Sequence, residues 1–370
     1  MKNKISIKNG VVTKVFGSVI ACDKEKYILA LLQGTGLVPR LTGSEKLTVH
    51  MEYTDGLTLS QAIEKTPRQL PHILEKLIDT LIKFNDYTED VVLDDINLKN
   101  FIYSPGTDTV TAIDFESWHR GDSTCNLAAA KAMIETAFLT DSKAEKLARH
   151  MADYICRKTD IRPQRLQELS AAEKQKILTR RRAMPRIRRA DCVILAGGKS
   201  SRMGSDKGLL KLGDYTFTDW LIYTAQLFDN LYISANKDDY LPFGYPVIAD
   251  IHRDKGPLGA FHACLQAAGK EFVFFMPCDS PFITESTVVE FFSKADLSAD
   301  CNIPRCNGRI YPATALYSKS VFPLVQCHIE QDNLRLMSLA DRLNTHYVDL
   351  SSPDRLRNIN TTEDYKTLHL

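Results

Sequence analysis

Short apolar runs alternate with longer amphipathic ones through the second half of the chain. CVILA (192–196) precedes TDWLIYTAQLF (218–228), NLYISAN (230–236) precedes LGAFHACLQAA (258–268), and EFVFFMP (271–277) precedes ESTVVEFFSKA (285–295). Continuous apolar runs of this length, each followed by a segment of helical period, predict buried parallel strands joined by crossover helices, an α/β arrangement. In such open sheets ligands bind beyond the carboxyl ends of the strands. The loops after CVILA, YISAN and FFMP are therefore where chemistry is expected.

The pattern breaks between about residues 162 and 190, where RRRAMPRIRRA sets a dense basic run around Pro185. Residues 161–190 read as a basic linker between a first domain, 1–160, and a second, 191–370. A length of 370 residues suits two domains of roughly 150 residues each. The composition, 44% apolar and 25% charged, is that of globular protein. With 47 Lys and Arg against 46 Asp and Glu, the net charge of +1 gives no global attraction to nucleic acid or to an anionic membrane. The opening MKNKISIKNG holds no apolar signal segment, and no run approaches the roughly 18 apolar residues of a spanning helix. A cytoplasmic protein is expected. The nine cysteines are scattered without a C-x-x-C pair, Cys301 and Cys306 being the closest two, so reduced small thiols are expected and not a zinc site.

The loop after CVILA reads LAGGKSSRMGSDKG, from Leu195 to Gly208. Gly197 and Gly198 let backbone approach a ligand, and Lys199, Arg202 and Lys207 bring cations to one loop, which suits a polyphosphate. The G-K-S within it is not a P-loop, because the spacing G-x-x-x-x-G-K-S requires glycine where Val193 stands. Asp279 directly follows the apolar run EFVFFMP and its Cys278. A carboxylate at that place can hold Mg²⁺, which takes one or two carboxylates together with substrate phosphates.

This loop resembles the signature of the sugar-nucleotide type of nucleotidyltransferases and, among them, the molybdenum cofactor guanylyltransferase (MobA-type) family. Further elements follow in that family's order: SAN ending in Asn236, VIADIHRDKGPLGA with Asp250 and Gly256 to Gly259, FFMPCDSPFI with Asp279, and NINTTEDY with Asn358 and Asn360. The resemblance covers about 180 residues. It implies a Rossmann-like nucleotidyltransferase sheet and a reaction of GTP with molybdopterin or Mo-molybdopterin in the presence of Mg²⁺. It further implies that Leu195, Ala196, Gly197 and Gly198 line the guanine and ribose pocket, that Asn236 and Asp250 contact the nucleotide, and that Lys207 and Arg202 hold the triphosphate. Asp279 would bind the metal, and Asn358 and Asn360 would serve the pterin side. Recipients of the product would be molybdoenzymes or other proteins of the cofactor pathway. Cytidylyl transfer to the same cofactor and sugar-1-phosphate nucleotidyl transfer stay as alternatives. Against the first stands Gly197-Gly198 where related cytidylyltransferases carry L-A-A-G. Gly256 and Gly259 read equally well as turn and helix-start residues.

The first half resembles, more loosely, an α+β kinase-like domain of the aminoglycoside-phosphotransferase or choline-kinase type. LDDINLKNFIY sets Asp95 and Asn100 at the D-x-x-x-x-N spacing of a catalytic loop, and VTAIDFESW places Asp114 after an apolar strand. Lys14 in KVF and Glu25 in EKYILALL would be the strand lysine and its helix partner. By that resemblance ATP would be a second nucleotide. Only thirteen residues precede Lys14 and Leu93 stands where the family has histidine, so a binding, regulatory or scaffolding module is the alternative.

Overall fold

The computed structural model describes residues 3–137, 141–196 and 206–368. The chain divides into two compact units, Asn3–Leu178 and Thr179–Leu370, and each is built around its own sheet.

The first unit opens with a four-stranded antiparallel sheet in the spatial order Lys4–Lys8, Val11–Val15, Thr48–Glu52, Leu41–Glu45. Its first two strands form a hairpin over Asn9-Gly10. The helix Val19–Leu31 follows, started by Ser18, whose side chain accepts from the backbone N–H of Ala21. The helix Leu70–Thr88 then buries Ile73, Leu74, Leu77, Ile78, Leu81 and Phe84, the three-and-four spacing of an apolar stripe. Two small antiparallel ladders come next, Phe101–Ser104 with Thr109–Ala112, and Val91–Leu93 with Trp118–Arg120. Helices Thr124–Glu135 and Asp141–Lys158 complete the unit with the first part of a third helix.

That third helix runs Pro163–Ile187, so the stretch read as a basic linker is helical. Its Ala, Leu, Glu, Gln, Lys and Arg are strong helix formers, and Pro185 falls in the last turn. The division between the two units falls inside it. Ala183 and Ile187, four residues apart and fully buried, belong to the core of the second unit.

The second unit holds a mixed sheet in the order Val247–Ile248, Leu231–Ser234, Ala190–Leu195, Phe272–Pro277, Leu316–Ser318, Cys301–Cys306 and Arg309–Ile310, with Thr345–Asp349 also paired to Cys301–Cys306. The three apolar runs expected to be strands pair in parallel. The antiparallel strand Leu316–Ser318 between two of the others was not expected, because its residues carry no continuous apolar run. Side chains alternate across the sheet: Cys192, Ile194, Phe274 and Met276 pack on one face, Val193, Val273 and Phe275 on the other. Burial of Val193 inside the strand agrees with rejecting a P-loop.

The register sets the strand ends level. Leu195 lies opposite both Ser234 and Pro277, and Ser234 lies opposite Ile248. The chain therefore leaves four adjacent strands at one edge of the sheet. Beneath that edge Phe275 stacks on Phe261, with ring centroids 3.9 Å apart, and both are fully buried. Phe275→Ala is expected to cost about 3–5 kcal/mol by loss of burial and by the cavity left behind. Chemical denaturation checks it, and a loss below about 1 kcal/mol would mean that the site rests on some other support.

Candidate functional site

In the second unit the level strand ends gather most of the residues singled out from the sequence. Asp279 and Lys207 meet at 3.4 Å, with side chains about one-fifth exposed. The Lys207 ammonium also donates to Asn360 Oδ1 at 2.8 Å. The Asn360 segment is held against the strand end because the Ile359 N–H donates to the Asp279 carbonyl at 2.7 Å and the Ser280 hydroxyl donates to Asn358 Oδ1 at 3.2 Å. Lys207, Asp279, Asn358 and Asn360, spread over more than 150 positions, thus form one cluster.

Beside it, Asn236 and Asp250 clasp each other. The Asn236 amide donates to Asp250 Oδ2 at 2.9 Å and its carbonyl oxygen accepts from the Asp250 N–H at 2.8 Å. Leu195 ends its strand half-buried and Ala196 is buried behind it. Gly197, Gly198, Lys199 and Arg202 lie outside the described residues. Gly259 proves to be a packing requirement: a Cβ there would come within 2.7 Å of the His252 carbonyl, so the loop carrying Asp250 can lie close against the helix Gly256–Ala267 only over a bare backbone.

Cys278, next to Asp279, is no nucleophile here. Burial, reinforced by the neighbouring carboxylate, pushes its thiol far above the usual range, so it stays protonated. Cys301 and Cys306 are likewise buried and free, as expected.

The MobA-like NTP transferase domain family model matches residues 192–346. The molybdenum cofactor guanylyltransferase of Vibrio vulnificus is 37% identical over 179 residues, which are 46% of this chain and 91% of that protein. The chain belongs to this family. A second relative, the molybdenum cofactor guanylyltransferase of Vibrio cholerae, is 35% identical over 178 residues and covered to 87%. Among solved structures, a molybdopterin-guanine dinucleotide biosynthesis protein A from Archaeoglobus fulgidus is 20% identical, with a TM-score of 0.43, over 48% of this chain and 96% of that one. Membership of the MobA-like family makes the chain a nucleotidyltransferase. These matches fall on the C-terminal half. Among the described residues no helix is long and apolar enough to cross a membrane.

Two residues of the MobA-like unit were given no role in the sequence reading, Asp206 although it stands inside the loop motif LAGGKSSRMGSDKG. Asp206 caps the short 3-10 turn Lys207–Leu209, and Tyr240, fully buried, donates its hydroxyl to Asp206 Oδ1 at 2.5 Å. The motif itself was the signal for Asp206, whereas a tyrosine 34 positions away carries no periodic signal.

In the first unit Lys14, on the strand Val11–Val15, is 4% exposed and lies 3.3 Å from Glu25, 2.5 Å from Asp114 and 3.3 Å from Glu116. Burial alone would lower its pKa, but the three carboxylates together hold the ammonium above the ordinary lysine range. Glu25, on the helix Val19–Leu31, accepts the Phe115 N–H at 2.6 Å. Its burial raises the carboxyl to about 7 against the opposing pull of Lys14. Asp114 adopts the left-handed conformation, φ 71°, sparsely populated by non-glycine residues. Asn100 donates to the Asp95 carbonyl at 3.0 Å and its own carbonyl accepts from the Ile113 N–H at 2.8 Å, which sets the D-x-x-x-x-N loop beside the strand that leads to Asp114. The Asp95 carboxylate is exposed and accepts from Asn97. Glu116, third in D-F-E, is the member of this cluster that the sequence reading left without a role.

Proposed function

We propose that the C-terminal unit transfers GMP from GTP to the terminal phosphate of molybdopterin. A phosphate oxygen of the pterin attacks the α-phosphorus of GTP, the bond from that phosphorus to the bridging oxygen breaks, and pyrophosphate leaves with the electron pair. The attacking group is already anionic at neutral pH, so the site must bring anions together and stabilise the charge on the leaving group. The observation that carries the reading is the double contact of Lys207 with Asp279 and Asn360. One ammonium touches both the expected metal ligand and the expected pterin side, so the two substrates would meet there. In this reading Arg202 and Lys207 hold the triphosphate, Asn236 and Asp250 the nucleoside, and Leu195 to Gly198 the base and ribose. Asn358 and Asn360 face the pterin.

Asp279 fits Mg²⁺ as a single carboxylate ligand, with the substrate phosphates supplying further oxygens. Among the described residues no group of three or more His, Cys, Asp or Glu is placed to hold a metal without substrate. When bound, the ion would neutralise charge on the phosphates. The test is incubation of the full chain with Mg²⁺, molybdopterin and either GTP or CTP. The guanine dinucleotide and pyrophosphate are expected with GTP. Preferential formation of the cytosine dinucleotide, or transfer only to a sugar phosphate, overturns the reading.

A second reading concerns the first unit, carried by the buried Lys14–Glu25 pair facing Asp114: it binds Mg²⁺ with ATP and transfers phosphate to a further substrate. Asp114→Ala is expected to weaken Mg-ATP binding there at least about tenfold, since a metal-binding carboxylate is lost, while guanylyl transfer continues. Calorimetric titration checks it. Unchanged ATP affinity, or no ATP binding by the wild type, leaves a scaffolding role for this unit.

A further inference from the structure

Resting on the guanylyl-transfer reading, we propose that Tyr240 is a positioning residue that holds the turn bearing Lys207 in its reactive place. The turn is gripped from two sides. The Thr218 hydroxyl donates to the Gly208 carbonyl at 2.8 Å. Opposite, Asp206 Oδ1 accepts both the Gly208 N–H at 3.2 Å and the Tyr240 hydroxyl at 2.5 Å. No space is left: a Cβ on Gly208 would collide with the Tyr240 hydroxyl and come within 2.9 Å of Thr218 Oγ1. Lys237 also reaches Asp206, on Oδ2 at 3.4 Å, but its side chain is 59% exposed, and an exposed ion pair of this kind is weak. The buried tyrosine is the decisive partner.

Its hydroxyl has two effects on the neighbouring lysine. It orients the Asp206 carboxylate as a cap of the 3-10 turn, and it keeps that carboxylate occupied. Freed, the Asp206 carboxylate could swing to the ammonium one residue away and compete with the substrate phosphates for it. Tyr240 sits on the 3-10 helix Asp238–Phe243, three residues after Lys237 and four after Asn236, so the same contact ties the loop carrying Asn236 to the turn carrying Lys207. A cation aimed in advance costs no reorganisation during the reaction, and small misplacements of such a group slow chemistry more than they weaken binding.

The test is a double-mutant cycle on the full chain. Tyr240→Phe keeps the ring in its pocket and removes one hydrogen bond to a charged group; it should lower kcat for transfer from GTP roughly tenfold, with KM for GTP changing less than about twofold. In the Lys207→Ala background the same substitution should change the rate by less than about twofold, because its target is gone. If Tyr240→Phe does not fold, Asp206→Ala replaces it: the oxygen that accepts from Gly208 and from Tyr240 is removed and the turn loses its cap, so a loss in kcat that disappears in the Lys207→Ala background is expected. Full activity of the single variant, or a loss that multiplies unchanged with that of Lys207→Ala, overturns the inference and leaves Tyr240 a core residue. A wild type that transfers no nucleotide from GTP would overturn the reading and this inference together, an outcome distinct from an active wild type matched by an equally active Tyr240→Phe.

Discussion

Replacing Asp279 by alanine is expected to reduce guanylyl transfer at least about a hundredfold while the protein stays folded. The carboxylate stands beyond the end of the strand Phe272–Pro277 and is partly exposed, so its removal leaves no cavity in the core. The backbone link from Ile359 to the Asp279 carbonyl survives the change. What is lost is the expected metal ligand and one of the two partners of Lys207 among the described residues. Asp279→Asn separates these effects: the amide oxygen can still accept from Lys207, but the charge a metal needs is gone. An equally deep loss in both variants, with melting temperatures near wild type, is the predicted result. Turnover close to normal in a folded alanine variant would rule out metal binding at this position.

Lys207→Ala is expected to lower kcat/KM by about a hundredfold, the scale on which one preorganised donor to developing charge acts. Asn360→Ala should cost less, about tenfold, since it removes one hydrogen bond and leaves the ammonium in place. Lys207→Arg is not expected to restore the rate, because a planar guanidinium cannot present one compact donor to Asp279 and Asn360 at the distances seen here. Steady-state rates with GTP for the three variants check the order. If Asn360→Ala proved the most damaging, the pterin side and not the leaving group would dominate the barrier.

Much of the second unit was legible before the structure. CVILA and FVFFM each set five apolar residues in a row, a length and β-branched or aromatic content that suit a strand buried on both faces, while NLYISAN keeps only Leu231-Tyr232-Ile233 in an unbroken run. The motif residues fall at the carboxyl ends of all three for the reason that governs such sheets. The strand Leu316–Ser318 was not legible. Its place between two other strands is decided by pairing over long sequence separations and not by its own pattern. The helix through the arginine run was hidden in another way: charge and Pro185 outweighed helix propensity in the reading, whereas burial of Ala183 and Ile187 on one face decides the fold. The tyrosine–aspartate grip on Lys207 leaves no mark in any local window. In the first unit the spacing of Lys14, Glu25 and Asp114 was readable. The addition of Glu116 to the same ammonium was not, because it depends on the left-handed turn at Asp114.

The level ends of the four neighbouring strands make strand length a quantity that this site can hardly vary. Deleting one residue inside Ala190–Leu195 or Phe272–Pro277 would draw the following loop back by about 3.3 Å and send every later side chain of that strand to the opposite face. Insertions in the connections at the other edge of the sheet carry no such penalty. Length variation among natural or engineered versions of this unit should therefore collect at that far edge, with gaps inside these two strands confined to inactive forms.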